Sequence, residues 1–253
     1  MKKIILLSLI IFLLVSSVTG VSAQNSKGDI KDTSKIDSIV KYNDKAYDLS
    51  TLEGASQYFE DSNQIQTLVE VYDIDIFKVT KAVENTQSLI GLTSPSITSR
   101  SDVFDLESEC KTNANIVKDY YDSMFKRYVN LGNNVVEAAA NAYVSTGVFF
   151  GSMVRIGGPW DLKSTYSLSY TKYYSTQIDG QIVSLLGDDI GNIHYGYVGA
   201  TMFPNFLLKS MAGIVQIAGG ESNSKWFTTY FDDPRDQIAI QRGIDYYDDG
   251  DFE

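Results

Sequence analysis

The sequence predicts a helix-dominated α+β fold, with a helical N-terminal leader followed by a compact C-terminal domain that carries a short β-hairpin. Three observations predict it. Apolar residues recur at steps of three and four over most of the chain, as on one face of a helix. Alternation with a period of two begins only beyond Pro159, and stretches rich in Gly, Pro and Ser separate the periodic segments. With 43% hydrophobic residues, 17 Tyr and 12 Phe, the chain can bury one core or two small ones.

The first element is a targeting segment. Met1, Lys2 and Lys3 precede an apolar run from Ile4 to Val15, and small residues follow at Val21, Ser22 and Ala23, which is the pattern of a secretory signal peptide cleaved after Ala23. An uncleaved anchor is the alternative reading of the same run, and no later stretch approaches the roughly 20 apolar residues of a membrane span. Residues 24–101 read as a variable leader. Its first part, 24–50, is polar and loosely ordered by composition. From Ser62 to Leu89, Ile65, Leu68, Val69, Tyr72, Ile76, Val79 and Val83 mark one long helix, and "GLTSPSITSRS", residues 91–101, is the linker.

The compact domain is expected over 102–253. Ile116, Val117, Tyr120, Tyr121, Met124, Phe125 and Tyr128 mark a helix stopped at Gly132. Asn134 and Glu137 then form the N-x-x-E start of a second helix that runs to about Val154 and ends at Gly157, Gly158 and Pro159. Tyr166, Leu168 and Tyr170 alternate, and Asp179–Gly180 between two β-prone runs signals a hairpin. Phe206, Leu207, Met211, Ile214 and Val215 suggest a helix closed by Gly219–Gly220. A last helix starts at "FDDPRDQ", with Asp233 as cap, Pro234 in the first turn and Asp236 three residues after the cap.

Charge narrows the partners. Removing residues 1–23, which hold two lysines and no acid, leaves 19 basic and 32 acidic residues and a net charge of −13. A basic face or arm for a phosphate polymer is not visible, although a locally basic cleft remains open. The single cysteine, Cys110, excludes an intramolecular disulfide and has no neighbour in sequence that would activate its thiol.

Three polar constellations can carry chemistry. In "GGPWDLK", Asp161 and Lys163 follow a rigid turn; Asp161 has no evident structural role there, and the bland reading is a helix stop with two surface charges. In "GDDIGNIHYGYVG", His194 is the only imidazole of the chain, the side chain best suited to proton transfer at neutral pH. The alternative is a tight packing segment around a satisfied buried ring. Its G-x-x-x-x-G spacing lacks the Lys and Ser/Thr of a nucleotide loop. In "DDPRDQ", Asp233 and Asp236 are accounted for as helix-start residues, whereas Arg235 opposes the helix dipole and its forked donors suit phosphate or carboxylate.

"GGPWDLK", "GDDIGNIHYGYVG", "AGIVQIAGG" and "DDPRDQIAIQRGIDYY", in this order and spacing, resemble the bacterial polymorphic toxin type 44 domain, the bacterial toxin 44 family, over roughly Lys111 to Tyr247. The resemblance implies an α+β toxin domain with a ribonuclease activity used against competing cells, and an immunity protein as a partner. It carries Asp161, Lys163, Asn192, His194, Tyr195, Asp233, Arg235 and Asp236 over as site residues. On that reading His194 is the general acid or base at a ribose 2′-hydroxyl or a leaving 5′-oxygen, and Asp161 orients it or transfers the second proton. Lys163 or Arg235 stabilises charge on the phosphate, while Asn192, Tyr195, Asp233 and Asp236 contact the substrate. No cofactor or metal is required, although Asp188–Asp189 can hold a divalent cation. Two other readings stay open: an exported cell-wall hydrolase using paired carboxylates such as Asp161 with Asp233, and a non-catalytic binding module.

Overall fold

The structure, a computed structural model, describes residues 38–64, 103–219 and 233–250. The expected signal peptide, most of the long helix 62–89 and the linker 91–101 lie outside the described residues. Among those described, helices dominate and the strands are short, as expected for a helix-rich α+β chain.

Two compact units are present. In the first, residues 38–64 join 119–152. β1 (Ile39–Tyr42) and β2 (Lys45–Asp48) pair antiparallel with Tyr42 opposite Lys45, and the two-residue turn between them uses Asn43 and Asp44 at positive φ, the arrangement that matches the twist of a hairpin. The composition of 24–50 suggested loose order; the N-D turn between short β-prone runs instead makes residues 39–48 a hairpin. α1 (Leu52–Asp61) follows, capped by Thr51, whose side chain accepts from the Gly54 amide. Its buried face is Leu52, Ala55, Tyr58 and Phe59. Phe59 packs edge-on against Tyr143 at 5.4 Å, and the Tyr121 hydroxyl donates to the Leu49 carbonyl at 2.8 Å.

α2 (Leu106–Asn130) contributes its last residues to this unit and its first to the other. It ends as the sequence predicts, at Gly132 with φ of 94°. α3 (Val135–Val154) opens with a reciprocal capping box: the Glu137 amide donates to Asn134 Oδ1 at 3.0 Å and the Asn134 amide to Glu137 Oε2 at 3.3 Å.

The second unit joins residues 103–118 to 153–219 and 233–250. β3 (Phe104–Asp105) pairs parallel with β4 (Tyr173–Ile178), which pairs antiparallel with β5 (Gln181–Leu186) across the expected Asp179–Gly180 turn. Both turn residues have positive φ, and the Asp179 amide is tied to Glu107 at the start of α2. α4 (Leu162–Thr165) is a single turn, and Tyr166, expected to alternate in a strand, is its C-cap. The glycine-spaced motif is α5 (Gly187–Ala200), followed by α6 (Asn205–Gly219) and α7 (Pro234–Asp248).

α5 and α7 form the centre of this unit, and glycine decides how close they come. A Cβ on Gly196 would lie 2.1 Å from the Ile240 carbonyl oxygen, and one on Gly243 would lie 2.0 Å from that of Ile193. Only backbone fits at the crossing. Ile190, Ile193, Val198, Ile240 and Ile244 are buried around it. Cys110, in α2, is also fully buried; burial first, then the charges of Glu109 and Glu107, push its thiol well above the ordinary range, which leaves it a packing residue.

Candidate functional site

α4 is too short to hold itself and depends on its flanks. Gly157 takes φ of 72°, and the Trp160 amide donates to the Met153 carbonyl at 2.8 Å, so the turn folds back on the end of α3. Asp161 caps the helix. Its carboxylate accepts from the Ser164 amide at 3.3 Å, the Ser164 hydroxyl at 2.6 Å and the Gly157 amide at 2.8 Å. Its chemistry is that of an N-cap, contrary to the expectation that it had no structural role, and its bonding does not include His194.

Lys163 extends from α4 across α5. Its stem lies over Gly191, where an added Cβ would meet Lys163 Cε at 2.9 Å and Cγ at 3.2 Å. The absent side chain leaves the groove in which the lysine lies. Its ammonium pairs with Asp188 Oδ1 and reaches Asn192 Oδ1 at 3.4 Å, two residues one helical turn apart, and stands 5.5 Å from the Tyr170 ring centre. Burial alone would lower the Lys163 pKa; the Asp188 carboxylate outweighs it, with help from Asp236, and holds the ammonium above its ordinary value. The Asn192 Nδ2 is buried and has no hydrogen-bond partner.

α7 supplies the other side of this cluster. Asp233 caps it, accepting from the Arg235 amide at 2.9 Å, and the Arg235 guanidinium, 77% exposed, lies against the same carboxylate at 3.3 Å. Arg235 is near enough to feel Asp236 and Asp188 as well. Asp189, beside Asp188 in the first turn of α5, is raised above the usual carboxyl value by burial and then by Asp188, against the opposing pull of the Leu186 amide, Arg242 and Arg235. Lys163, Asp188, Asp189, Asn192, Arg235, Asp236 and Arg242 are thus one charged cluster, built from three segments far apart in sequence.

The structure brings together four of the expected site residues: Lys163, Asn192, Arg235 and Asp236. Asp233 is a helix cap at its margin. Tyr195 is half-buried and donates its hydroxyl to the Leu208 carbonyl at 3.0 Å, which ties α5 to α6. Asp188 and Asp189 were visible in the sequence only as a pair of acids; their spacing to Asn192 on one helix face is the signal that would have placed them here. No group of three or more His, Cys, Asp or Glu among the described residues is arranged to hold a metal ion.

His194 is elsewhere. Its ring is fully buried. Nε2 lies 2.9 Å from Asn113 Nδ2, Nδ1 has no hydrogen-bond partner, and the Trp160 ring stands edge-on at 6.2 Å. With the Asn113 amide nitrogen donating, Nε2 is the acceptor and the ring proton sits on Nδ1. Desolvation lowers the imidazole to about 3, so the ring is neutral at physiological pH. As placed, the ring is enclosed by protein on every side, the arrangement of the packing alternative rather than that of a general acid or base in contact with substrate.

The comparison with protein families is decisive for the surrounding segment: residues 149–249 match the profile of the family described as bacterial toxin 44. This segment is a bacterial toxin 44 domain. The toxin 44 domain takes in the end of α3 and runs from α4 to the end of α7, so it contains the whole charged cluster together with His194 and Trp160. Asn113, the hydrogen-bond partner of His194, lies outside the toxin 44 segment. No curated protein and no solved structure matches the chain. No helix among the described residues is long and apolar enough to cross a membrane.

Proposed function

We propose that the toxin 44 domain is a ribonuclease that acts after export, at the cluster formed by α4, α5 and the start of α7. The observation that carries this reading is the meeting of Lys163, Asn192 and Arg235 with an elevated carboxyl, Asp189. RNA cleavage needs a proton taken from a ribose 2′-hydroxyl, a proton given to the leaving 5′-oxygen, and positive charge beside the phosphate. With His194 buried, Asp189 as carboxylate takes the 2′-hydroxyl proton as the 2′-oxygen attacks phosphorus, and then delivers that proton to the 5′-oxygen as the P–O5′ bond breaks. Arg235 offers most of its guanidinium to solvent and can turn two donors to a phosphate, while Lys163 supplies the inner positive charge. Asn192, with its amide nitrogen unsatisfied, donates to a substrate oxygen, and Asp236 raises the negative potential at Lys163.

A second reading is favoured by one observation: Asp188, Asp189, Asp233 and Asp236 outnumber Lys163, Arg235 and Arg242. A carboxyl raised by a neighbouring carboxylate also suits glycan hydrolysis. That pair is Asp188 with Asp189, in place of Asp161 with Asp233, both of which are caps. The deciding experiment incubates residues 24–253 with total RNA and, separately, with peptidoglycan. RNA fragments ending in 2′,3′-cyclic phosphate, lost in Lys163→Met and Asp189→Asn, support the ribonuclease. Released glycan with intact RNA overturns it.

Export by residues 1–23 and an immunity protein in the producing cell belong to the same proposal. Growth arrest by cytoplasmic residues 24–253, relieved when residues 1–23 are restored, supports an intracellular RNA target. Stronger arrest from the exported form supports the wall.

A further inference from the structure

His194 is the most conspicuous group that the proposed chemistry leaves without a task. It is buried, keyed to one partner and set between two parts of the chain that frame α4. Asn113, its partner, donates from the same amide nitrogen to Glu109 Oε1 at 3.0 Å. Glu109 Oε2 in turn accepts from the Tyr166 hydroxyl at 3.3 Å, and Tyr166 is the C-cap of α4. On the other side the His194 ring meets Trp160, the residue before the N-cap Asp161. Both ends of this four-residue helix are therefore held by one polar chain, Tyr166–Glu109–Asn113–His194, closed by Trp160.

We propose that His194 is a positioning residue that, with Asn113, Glu109 and Tyr166, fixes α4 against α5 so that Lys163 lies over Gly191 and reaches Asp188 and Asn192. His194 sits on α5 itself, two residues beyond Asn192, so a clamp from His194 to α4 sets Lys163 against the helix that carries its partners. α4 has one turn and cannot keep its place by its own hydrogen bonds. The caps at Asp161 shape the turn without joining it to α5. Trp160 and Tyr166 do join it, through His194. The pairings Tyr166–Glu109, Glu109–Asn113 and Asn113–His194 Nε2 favour one arrangement of these elements, although His194 Nδ1 stays unpaired. The task asks of His194 only that Nε2 accept a hydrogen bond, and a neutral ring at all ordinary pH values meets that requirement.

The activity part of the test rests on the ribonuclease reading; the geometry does not. In the full chain, amine acylation with an N-hydroxysuccinimide ester, read by peptide mass mapping, reports how well Lys163 is held in its ion pair, with Lys45, 64% exposed, as the internal control. His194→Ala and Asn113→Ala should each raise Lys163 labelling about tenfold by local opening, with Lys45 unchanged. His194→Gln, which can place an acceptor near the position of Nε2 but can transfer no proton as an imidazole does, should stay within about threefold of the parent. RNA cleavage should follow the labelling, and the pH profile of His194→Gln should overlay that of the parent.

Lys163 labelling unchanged in a folded His194→Ala chain overturns the proposal. So does loss of cleavage in His194→Gln as complete as in His194→Ala while Lys163 stays protected, because the imidazole is then needed for its proton. Should His194→Ala fail to fold, Tyr166→Phe removes only the hydroxyl at the far end of the chain; raised Lys163 labelling supports the clamp and unchanged labelling overturns it. A parent chain that leaves RNA intact defeats the ribonuclease reading, and the labelling series then decides the clamp by itself.

Discussion

At the scale of single residues, burial decides what each candidate side chain can do. His194 is an ionisable group that folding keeps from ionising. Its pKa falls from 6.5 to about 3 through desolvation alone, so between those values the unfolded chain binds a proton that the folded chain refuses. Stability contributed by the neutral ring is full above about pH 6.5 and falls as pH drops toward 3, by up to about 1.4 kcal/mol per pH unit. Melting of parent and His194→Gln between pH 4 and 8 should therefore converge as pH falls, the parent losing more. Parallel curves would show that His194 is accessible to protons in the folded state. Asp161 makes the complementary case. With three hydrogen bonds from the turn and α4, Asp161→Ala should cost about 1 kcal/mol, as should Asp233→Ala, which removes the cap of α7. Urea denaturation of both variants checks this, and an Asp161→Ala chain as stable as the parent would return Asp161 to the list of purely functional candidates. Asp233 was legible as a cap because Pro234 and Asp236 complete a known start signal. Asp161 was not, because the turn before it supplied reason enough for the helix to stop, and a one-turn helix leaves no apolar period to read.

At the scale of elements, local signals were legible and packing signals were not. The Asn134–Glu137 box, the Asp179–Gly180 hairpin and the stop at Gly132 all depend on neighbours within a few positions, and each appears where the sequence places it. α5 was obscured because Gly187, Gly191, Gly196 and Gly199 break the expected helix composition, although Ile190, Ile193, Tyr197 and Val198 keep the helical step. The structure explains three of those glycines by what lies above them: Ser169 and Leu168 over Gly187, Lys163 over Gly191 and the Ile240 backbone over Gly196. Such neighbours are distant in sequence, which is also why the meeting of Lys163 with Asp188 could not be read from it. The same geometry predicts opposite signs for one substitution. Gly196→Ala and Gly243→Ala gain about 1 kcal/mol of helix propensity but press a methyl into backbone that cannot yield, which costs 1–3 kcal/mol or more in a packed interior. Both should lower the melting temperature or prevent folding. Gly151→Ala, in α3 with nothing within 4 Å of the added carbon, should raise it by the propensity alone. A Gly196→Ala chain that melts above the parent would mean that α5 and α7 do not cross so closely.

At the scale of the whole chain, the leader is expected to be a separable attachment, whereas residues 38–64 share a compact unit with 119–152. The apolar face of α1 and the hairpin residue Tyr47 are buried, and Tyr121 and Tyr143, on α2 and α3, are fully buried in the same unit. Aromatic contacts run from Tyr42 through Tyr58 and Phe59 to Tyr143 at centroid distances of 6.1, 5.4 and 5.4 Å. Cutting the chain at residue 102 removes Leu49, Leu52, Ala55, Tyr58 and Phe59 together, and uncovers the side chains that meet them. Each large side chain loses about 1.5–3 kcal/mol of burial, so the four large ones, Leu49, Leu52, Tyr58 and Phe59, amount to about 6–12 kcal/mol, most of the roughly 5–15 kcal/mol by which a domain is stable. The fragment 102–253 should therefore melt well below residues 24–253, bind a dye that reports exposed apolar surface, and lose amide-exchange protection first over residues 119–152. The second unit keeps its own crossing of α5 with α7, so protection around Ile193 and Ile240 should survive in the fragment. Equal melting of the two chains would show that residues 38–64 are dispensable to the fold, and that the toxin 44 domain ends its dependence on the N-terminal half at α2.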